Sequence, residues 1–304
     1  MSLLDRMKLA ITGATGFVGA RLVARAVDAG HEVAALTRKP QRERENIRWV
    51  RGALDEPAAL AALVEGADAV IHVAGVVNAR DHAGFVAGNI EGTRAILAAA
   101  EAARVRHFVH VSSLAAREPS LSNYGSSKAE AERLVRDSAL DCAIVRPPAI
   151  YGPGDMEMRD MFRIAQRGVV LLPPRGRLSI LHVDDLDRLL LVLAAGGGAD
   201  TLYEVDDGRH WTYAEFGRAI GAAVGRSVQP IHLPAALLRL AATIDGKVRG
   251  DEAKLTADRV GYLVHPDWTA TASLRPPPHL WTPHIPAAKG LAETAAWYRA
   301  HGLL

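Results

Sequence analysis

Short apolar runs of strand length alternate with longer runs of helical spacing along the first half of the chain. "KLAIT" precedes "FVGARLVARAVDAG", whose apolar positions recur at helical intervals up to Gly30. "HEVAALT", "DAVIHVAG", "RHFVHVSS" and "DCAIVRP" are four further apolar runs, with "EGTRAILAAAEAA" and "NYGSSKAEAERLVRDS" reading as helices among them. Strands apolar on both faces, separated by helices at this rhythm, predict an α/β fold built on a doubly wound parallel sheet. Ligands in such sheets bind beyond the carboxyl ends of the strands. Gly13, His72, Ser113 and Pro147 are therefore expected along one crevice.

After "RPPAIYGPGD" the alternation loosens. "MRDMFRIAQRG" reads as a helix, "LSILHVDDLDRLLLVLAAG" as a strand passing into a helix, and "TLYEVDD" as a strand. "TYAEFGRAIGAAVG" and the closing "GLAETAAWYRAHGLL" read as helices. The expected organisation is a sheet domain of residues 1–155 and 179–206, with a smaller cap of residues 156–178 and 207–304. The run "LPAALLRLAATI" from Leu233 is amphipathic. Such a face could dock on a membrane surface, but packing into the core is the reading adopted from the sequence.

With 304 residues the chain can bury a sizeable core. A net charge of +2 gives no argument for nucleic acid or an anionic membrane as partner. Cys142 is the single cysteine, so an internal disulfide is excluded and a cytoplasmic location is expected. It sits in an apolar run and reads as a small core residue. No stretch reaches the ~20 apolar residues of a membrane-spanning helix, and "MSLLDRMKLAIT" lacks the features of a signal peptide.

"ITGATGFVGARL" places Gly13, Gly16 and Gly19 three apart between a strand and a helix. Glycines there let backbone N–H groups and a helix N-terminus approach a pyrophosphate. The spacing is G-x-x-G-x-x-G and not the G-x-G-x-x-G fingerprint, so strand–turn–helix context carries the reading. At the end of the second strand an acid would bind a ribose 2′-hydroxyl, and an Arg would accommodate a 2′-phosphate. The chain has Thr37-Arg38-Lys39, followed by Arg42. NADP is therefore expected as cofactor, with NAD possible.

Tyr124 and Lys128 stand at i and i+4 on a helix and share one face. An ammonium near a phenol stabilises phenolate, so the pair can move a hydroxyl proton as hydride moves at the adjoining carbon.

These motifs stand in a fixed order with Asp55, His72-Val73-Ala74-Gly75, Asn89-Ile90-Glu91-Gly92-Thr93, Val111-Ser112-Ser113, Arg146 to Asp155 and His182 to Asp185. The set resembles the extended or atypical short-chain dehydrogenases/reductases, the NAD(P)-dependent epimerase/dehydratase superfamily. The resemblance runs from about Met7 to the final helix. It implies a Rossmann domain for the dinucleotide and a C-terminal substrate-binding cap. It also implies that Ser113 hydrogen-bonds the substrate oxygen, that Tyr124 is the acid–base, and that Lys128 tunes it and bonds the nicotinamide ribose. Gly13, Thr15, Gly16, Phe17 and Val18 would form the cofactor turn, with Arg38 at the 2′-phosphate. Asp55 would contact adenine with Leu54 beside it, Ala74 and Gly75 would line the middle of the cofactor, and Pro147 would meet its nicotinamide end.

Asn89, Ser112, Arg159 and Arg163 are the candidate substrate contacts. Arg159, Arg163 and Arg167 are spaced as a helical stripe that could meet an anion, with Arg175 and Arg177 nearby; a solvated face is the alternative. Asp55 could equally cap the helix of "EPAALAALV", and Asn89 could pin a loop. His182, Asp184 and Asp185 fit a strand end and helix start better than a metal site, and no metal is expected.

Sugar dehydratases resembling this family carry an acidic pair after the catalytic hydroxyl residue. Here that place is Leu114-Ala115-Ala116, which disfavours dehydration. The readings carried forward are an NADP-dependent oxidoreductase acting on a secondary alcohol or ketone, a nucleotide-sugar epimerase that retains its cofactor, and a non-catalytic NADP-binding scaffold or sensor. The expected partner is a small-molecule substrate, and a homodimer is a family expectation.

Overall fold

The computed structural model describes residues 6–198, 200–250, 253 and 255–304. The chain begins with β1 (Lys8–Thr12), α1 (Phe17–Asp28), β2 (Glu32–Thr37), β3 (Ile47–Arg51), α2 (Pro57–Val64) and β4 (Ala69–His72). A short helix α3 (His82–Phe85) runs through a π-helical turn, Val86–Glu91, into α4 (Gly92–Ala102). Next come β5 (His107–Val111), α5 (Asn123–Arg136) and β6 (Asp141–Arg146). β7 (Ala149–Tyr151), α6 (Arg159–Ala165), β8 (Val169–Leu172), β9 (Arg177–Leu178) and β10 (Ile180–His182) follow. They lead to α7 (Val183–Ala194) and β11 (Thr201–Glu204). The remaining elements are β12 (Trp211–Thr212), α8 (Tyr213–Ala223), β13 (Gln229–His232), α9 (Ala235–Arg249), α10 (Ala257–Leu263), β14 (Asp267–Trp268) and α11 (Ala287–Ala300).

Two compact units result. The first comprises residues 1–146, 186–203 and 276–282, and the second residues 147–185, 204–275 and 283–304. The first unit is organised by a seven-stranded sheet in the order β11-β6-β5-β4-β1-β2-β3. The pairs from β3 through β6 are all parallel. This is a doubly wound, Rossmann-type sheet, as the alternating pattern predicts. Its central strands are apolar on both faces because helices cover both: Leu9, Ala10, Ile11, Val70 and Ile71 are all buried. The sequence reading missed β3. Its Arg48 and Arg51 face solvent at the sheet edge, so charged residues interrupt the apolar pattern.

The strand order reverses between β1 and β4, which lie side by side with Thr12 opposite His72. Ligands of open α/β sheets sit at such a reversal. Beneath it is a polar knot with no solvent access. The His72 ring bonds Thr12 Oγ1 at 2.7 Å through Nδ1 and Thr93 Oγ1 at 3.1 Å through Nε2. Burial holds the His72 pKa down at about 3, so the ring is neutral and structural. Cys142 is likewise buried, and burial pushes its thiol up to about 11.

The second unit has its own apolar core, in which Tyr151, Phe162, Phe216, Leu291 and Tyr298 are nearly or fully inaccessible. Its strands are short and pair as β7–β10, β8–β13 and β12–β9–β14. α8 opens with a capping box in which Thr212 and Glu215 exchange side-chain and backbone bonds. Two sequence expectations change here. α6 ends at Ala165, so Arg167 lies beyond it and the three arginines do not form one helical stripe. α9 buries Leu238 and Ala242 but exposes Leu237, Leu240, Ile244 and Val248, so the core-packing reading holds for only part of that run.

Candidate active site

The glycine turn owes its shape to two close approaches. Gly13 has φ +69°, and a Cβ there would lie 2.7 Å from the Ala74 nitrogen. A Cβ on Gly19 would fall onto the Gly13 carbonyl, so α1 starts flush against the turn. Gly16 takes the N-cap position in an extended conformation and has no side chain to bond the first N–H groups of α1. The helix start therefore keeps donors and the positive end of its dipole available for an anion. Thr15 and Gly16 are exposed, and Phe17 and Val18 are half-buried. These features fit the pyrophosphate of a dinucleotide.

Other segments of the first unit converge on the same place. The Ala74 N–H donates to Thr12 Oγ1 at 3.2 Å. A Cβ built on Gly75 would lie 3.2 Å from Asn89 Oδ1 and 3.7 Å from Lys128 Nζ. Glycine turn, Ala74, Gly75 and Lys128 thus form a continuous chain of contacts at the strand-order reversal. Lys128 is buried, and its ammonium donates to the Val111 carbonyl at 2.8 Å. That bond uses one of three donors. Burial lowers the Lys128 pKa to about 8, and the Glu132 carboxylate opposes the shift.

Tyr124 sits in the first turn of α5, one turn before Lys128, with the Phe85 ring 6.3 Å away. Ser122 caps that helix by accepting from the Gly125 N–H at 2.9 Å. Ser113 lies two residues beyond β5, where it caps the turn Leu114–Arg117 by accepting from the Ala115 N–H at 3.2 Å, which leaves its own hydroxyl proton to donate. A Cβ on Gly125 would lie 2.7 Å from the Ala115 carbonyl, so the turn after Ser113 packs against α5 beside Tyr124.

Ser112 points elsewhere. It is buried, and its hydroxyl donates to Glu132 Oε1 at 2.6 Å. Asn89 is also buried and pins the loop after β4. Its Oδ1 accepts from the Val76 N–H at 2.7 Å, and its Nδ2 donates to the Val76 carbonyl and to Ser127 Oγ. Of its two sequence readings, loop pinning is the one this geometry displays. Asp55 is exposed and does not cap α2, whose N-cap position is Glu56, without a side-chain bond. Leu54 packs on Gly92 at the start of α4. Arg38 is exposed at the end of β2. Pro147, Arg159 and Arg163 belong to the second unit, where both arginines face Asp160. No group of metal ligands occurs among the described residues.

Sequence reasoning missed Glu132. It accepts from Ser112, from Arg146 through both Nε and a terminal nitrogen at 2.7 Å, and from Arg136 at 2.7 Å. The available signal was its place four residues after Lys128, on the same face of α5.

A family model described as NAD(P)H-binding matches residues 13–161. A ceramide reductase of Caulobacter vibrioides is 37% identical over 97% of this chain and 96% of its own length. The chain belongs to the extended short-chain dehydrogenases/reductases. It is an NAD(P)-dependent enzyme of the oxidoreductase type. A 3β-hydroxysteroid dehydrogenase/Δ5→4-isomerase of Mycobacterium tuberculosis is 29% identical over 72% of this chain and 70% of its own length. The WbmH enzyme of Bordetella bronchiseptica, solved with NAD+, shares the fold with TM-score 0.77, 19% identity, and coverage of 98% of this chain and 100% of its own.

Proposed function

We propose that this extended short-chain dehydrogenase/reductase is an NADPH-dependent ketone reductase with Ser113, Tyr124 and Lys128 as its catalytic set. The observation that carries the reading is Lys128: a buried ammonium one turn from Tyr124, beside Gly75 in the loop after β4. When bound, NADPH supplies the hydride to the carbonyl carbon. Tyr124 gives its phenolic proton to the carbonyl oxygen, and the Lys128 charge stabilises the phenolate left behind. Ser113 donates a hydrogen bond to the same oxygen and holds it in place. The exposed Arg38, without an ion-pair partner among the described residues, supports the 2′-phosphate of NADPH as its ligand.

The likeness to the Caulobacter ceramide reductase supports a ketone on a ceramide-type lipid as substrate. Buried Leu114, Ala115 and Ala116 stand after Ser113 and offer no acid for elimination of water. Purified protein should oxidise NADPH continuously with a panel of long-chain ketones of this type. Conversion of a sugar nucleotide to its epimer without added NADPH, and no NADPH oxidation with any ketone, would overturn the proposal.

A further inference from the structure

We propose that the second unit docks on the surface of an anionic phospholipid bilayer through the outward face of α9 and the arginine-lined cleft beside its start. The helix carries two apolar faces. Leu238 and Ala242 pack with Val260 of α10. Leu237, Leu240, Ile244 and Val248 lie on the other, spaced three, four and four residues apart, so they form one stripe. Their exposures are 47%, 55%, 54% and 76%, well beyond what scattered surface leucines need explaining. Leu171 and Ile231, paired directly across the β8–β13 ladder, are exposed as well.

Charge selects the occupant. Lys247 stands on α9 near the edge of the stripe without an ion-pair partner among the described residues, while Arg249 is paired with Asp245 and Arg239 lies on the far side of the helix. β13 leads into α9 through Leu233, whose N–H bonds the Leu172 carbonyl, and Pro234. At that end lies a cleft of ≈ 560 Å³ lined by Arg175, Arg177, Arg218, Thr212, Gln229 and His232, with no carboxylate in its wall. None of the three arginines has an ion-pair partner among the described residues. On the other flank, the acids Glu157, Asp160 and Asp245 are neutralised by Arg259, Arg159 and Arg249. An apolar helix face with an arginine-lined cleft beside its start can lie in the interfacial plane of a bilayer, with guanidinium groups on lipid phosphates. A second copy of this chain would set the same cations against one another.

Flotation with liposomes tests this. The wild-type chain should float with vesicles containing phosphatidylglycerol and stay behind with phosphatidylcholine alone, and salt should weaken the binding. Leu240→Glu/Ile244→Glu should abolish flotation, and Arg175→Ala/Arg218→Ala should reduce partitioning roughly fivefold per arginine. Circular dichroism and NADPH binding check that the variants are folded. Wild-type protein that stays behind with both vesicles, variants that float like wild type, or a dimer that Leu240→Glu/Ile244→Glu converts to monomer would each overturn the proposal. Flotation requires no turnover, so its failure is distinguishable from failure of the reductase reading.

Discussion

The Lys128 ammonium donates to the Val111 carbonyl across 2.8 Å and ties the inward face of α5 to the carboxyl end of β5. The bond holds a cation in a site that burial makes unfavourable for it, and the Lys128 pKa falls from 10.5 to about 8. Reduction by the proposed mechanism needs that charge, so kcat/KM should fall as pH rises through about 8. The stability effect has the opposite sign. Between about pH 8 and 10.5 the unfolded chain keeps a proton that the folded chain has lost, so this group makes stability rise with pH. Melting temperatures across that range should climb less in Lys128→Met than in the parent.

Tyr124→Phe removes the phenolic proton and leaves the ring beside Phe85. Turnover should drop by roughly 10²–10⁴, the usual share of general acid catalysis. NADPH affinity should stay close to that of the parent, because the glycine turn and Lys128 are untouched. Titration of NADPH fluorescence alongside kcat separates the two effects. Wild-type turnover in the variant would remove Tyr124 from the catalytic set.

Glu132 lies at the meeting point of Ser112, Arg136 and Arg146, with 1% of its surface exposed. Removing one partner of a buried ion pair leaves the other charge unpaired, so Glu132→Ala should destabilise the fold by roughly 3–5 kcal/mol in urea unfolding. Glu132→Gln keeps the shape and deletes the charge that holds the Lys128 pKa up. Its alkaline limb of kcat/KM should therefore move to lower pH than in the parent. An unmoved limb would mean that Glu132 is purely a packing residue.

The strands around the sheet reversal were legible because burial on both faces leaves uninterrupted apolar runs, as in Leu9–Ile11 and Ala69–Ile71. The glycine turn was legible because Gly13 and Gly19 serve local contacts that any sequence with this turn must permit. What stayed hidden depends on distant partners. Ser112 and Ser113 are adjacent, and only the placement of Glu132, twenty residues on, separates their roles. The amphipathic pattern of α9 shows that the helix has faces and says nothing about which of them finds a protein partner. Arg48 and Arg51 disguised β3, since an edge strand tolerates charge on its solvent side.

Arg38 decides the cofactor in the proposed reading. It follows Thr37, whose hydroxyl is occupied by donating to the Lys39 carbonyl and accepting from the Lys39 N–H, a tight turn that closes the end of β2. The turn leaves the Arg38 guanidinium in solvent, where a fork of donors can take a phosphate monoester and gains nothing from a bare ribose hydroxyl. A charged hydrogen bond of this kind contributes ~1.5–3 kcal/mol. Arg38→Ala should thus raise KM for NADPH by roughly tenfold or more, with KM for NADH little changed. Steady-state kinetics with both cofactors on one ketone measure the ratio. Equal effects on the two cofactors would locate the 2′-phosphate away from Arg38.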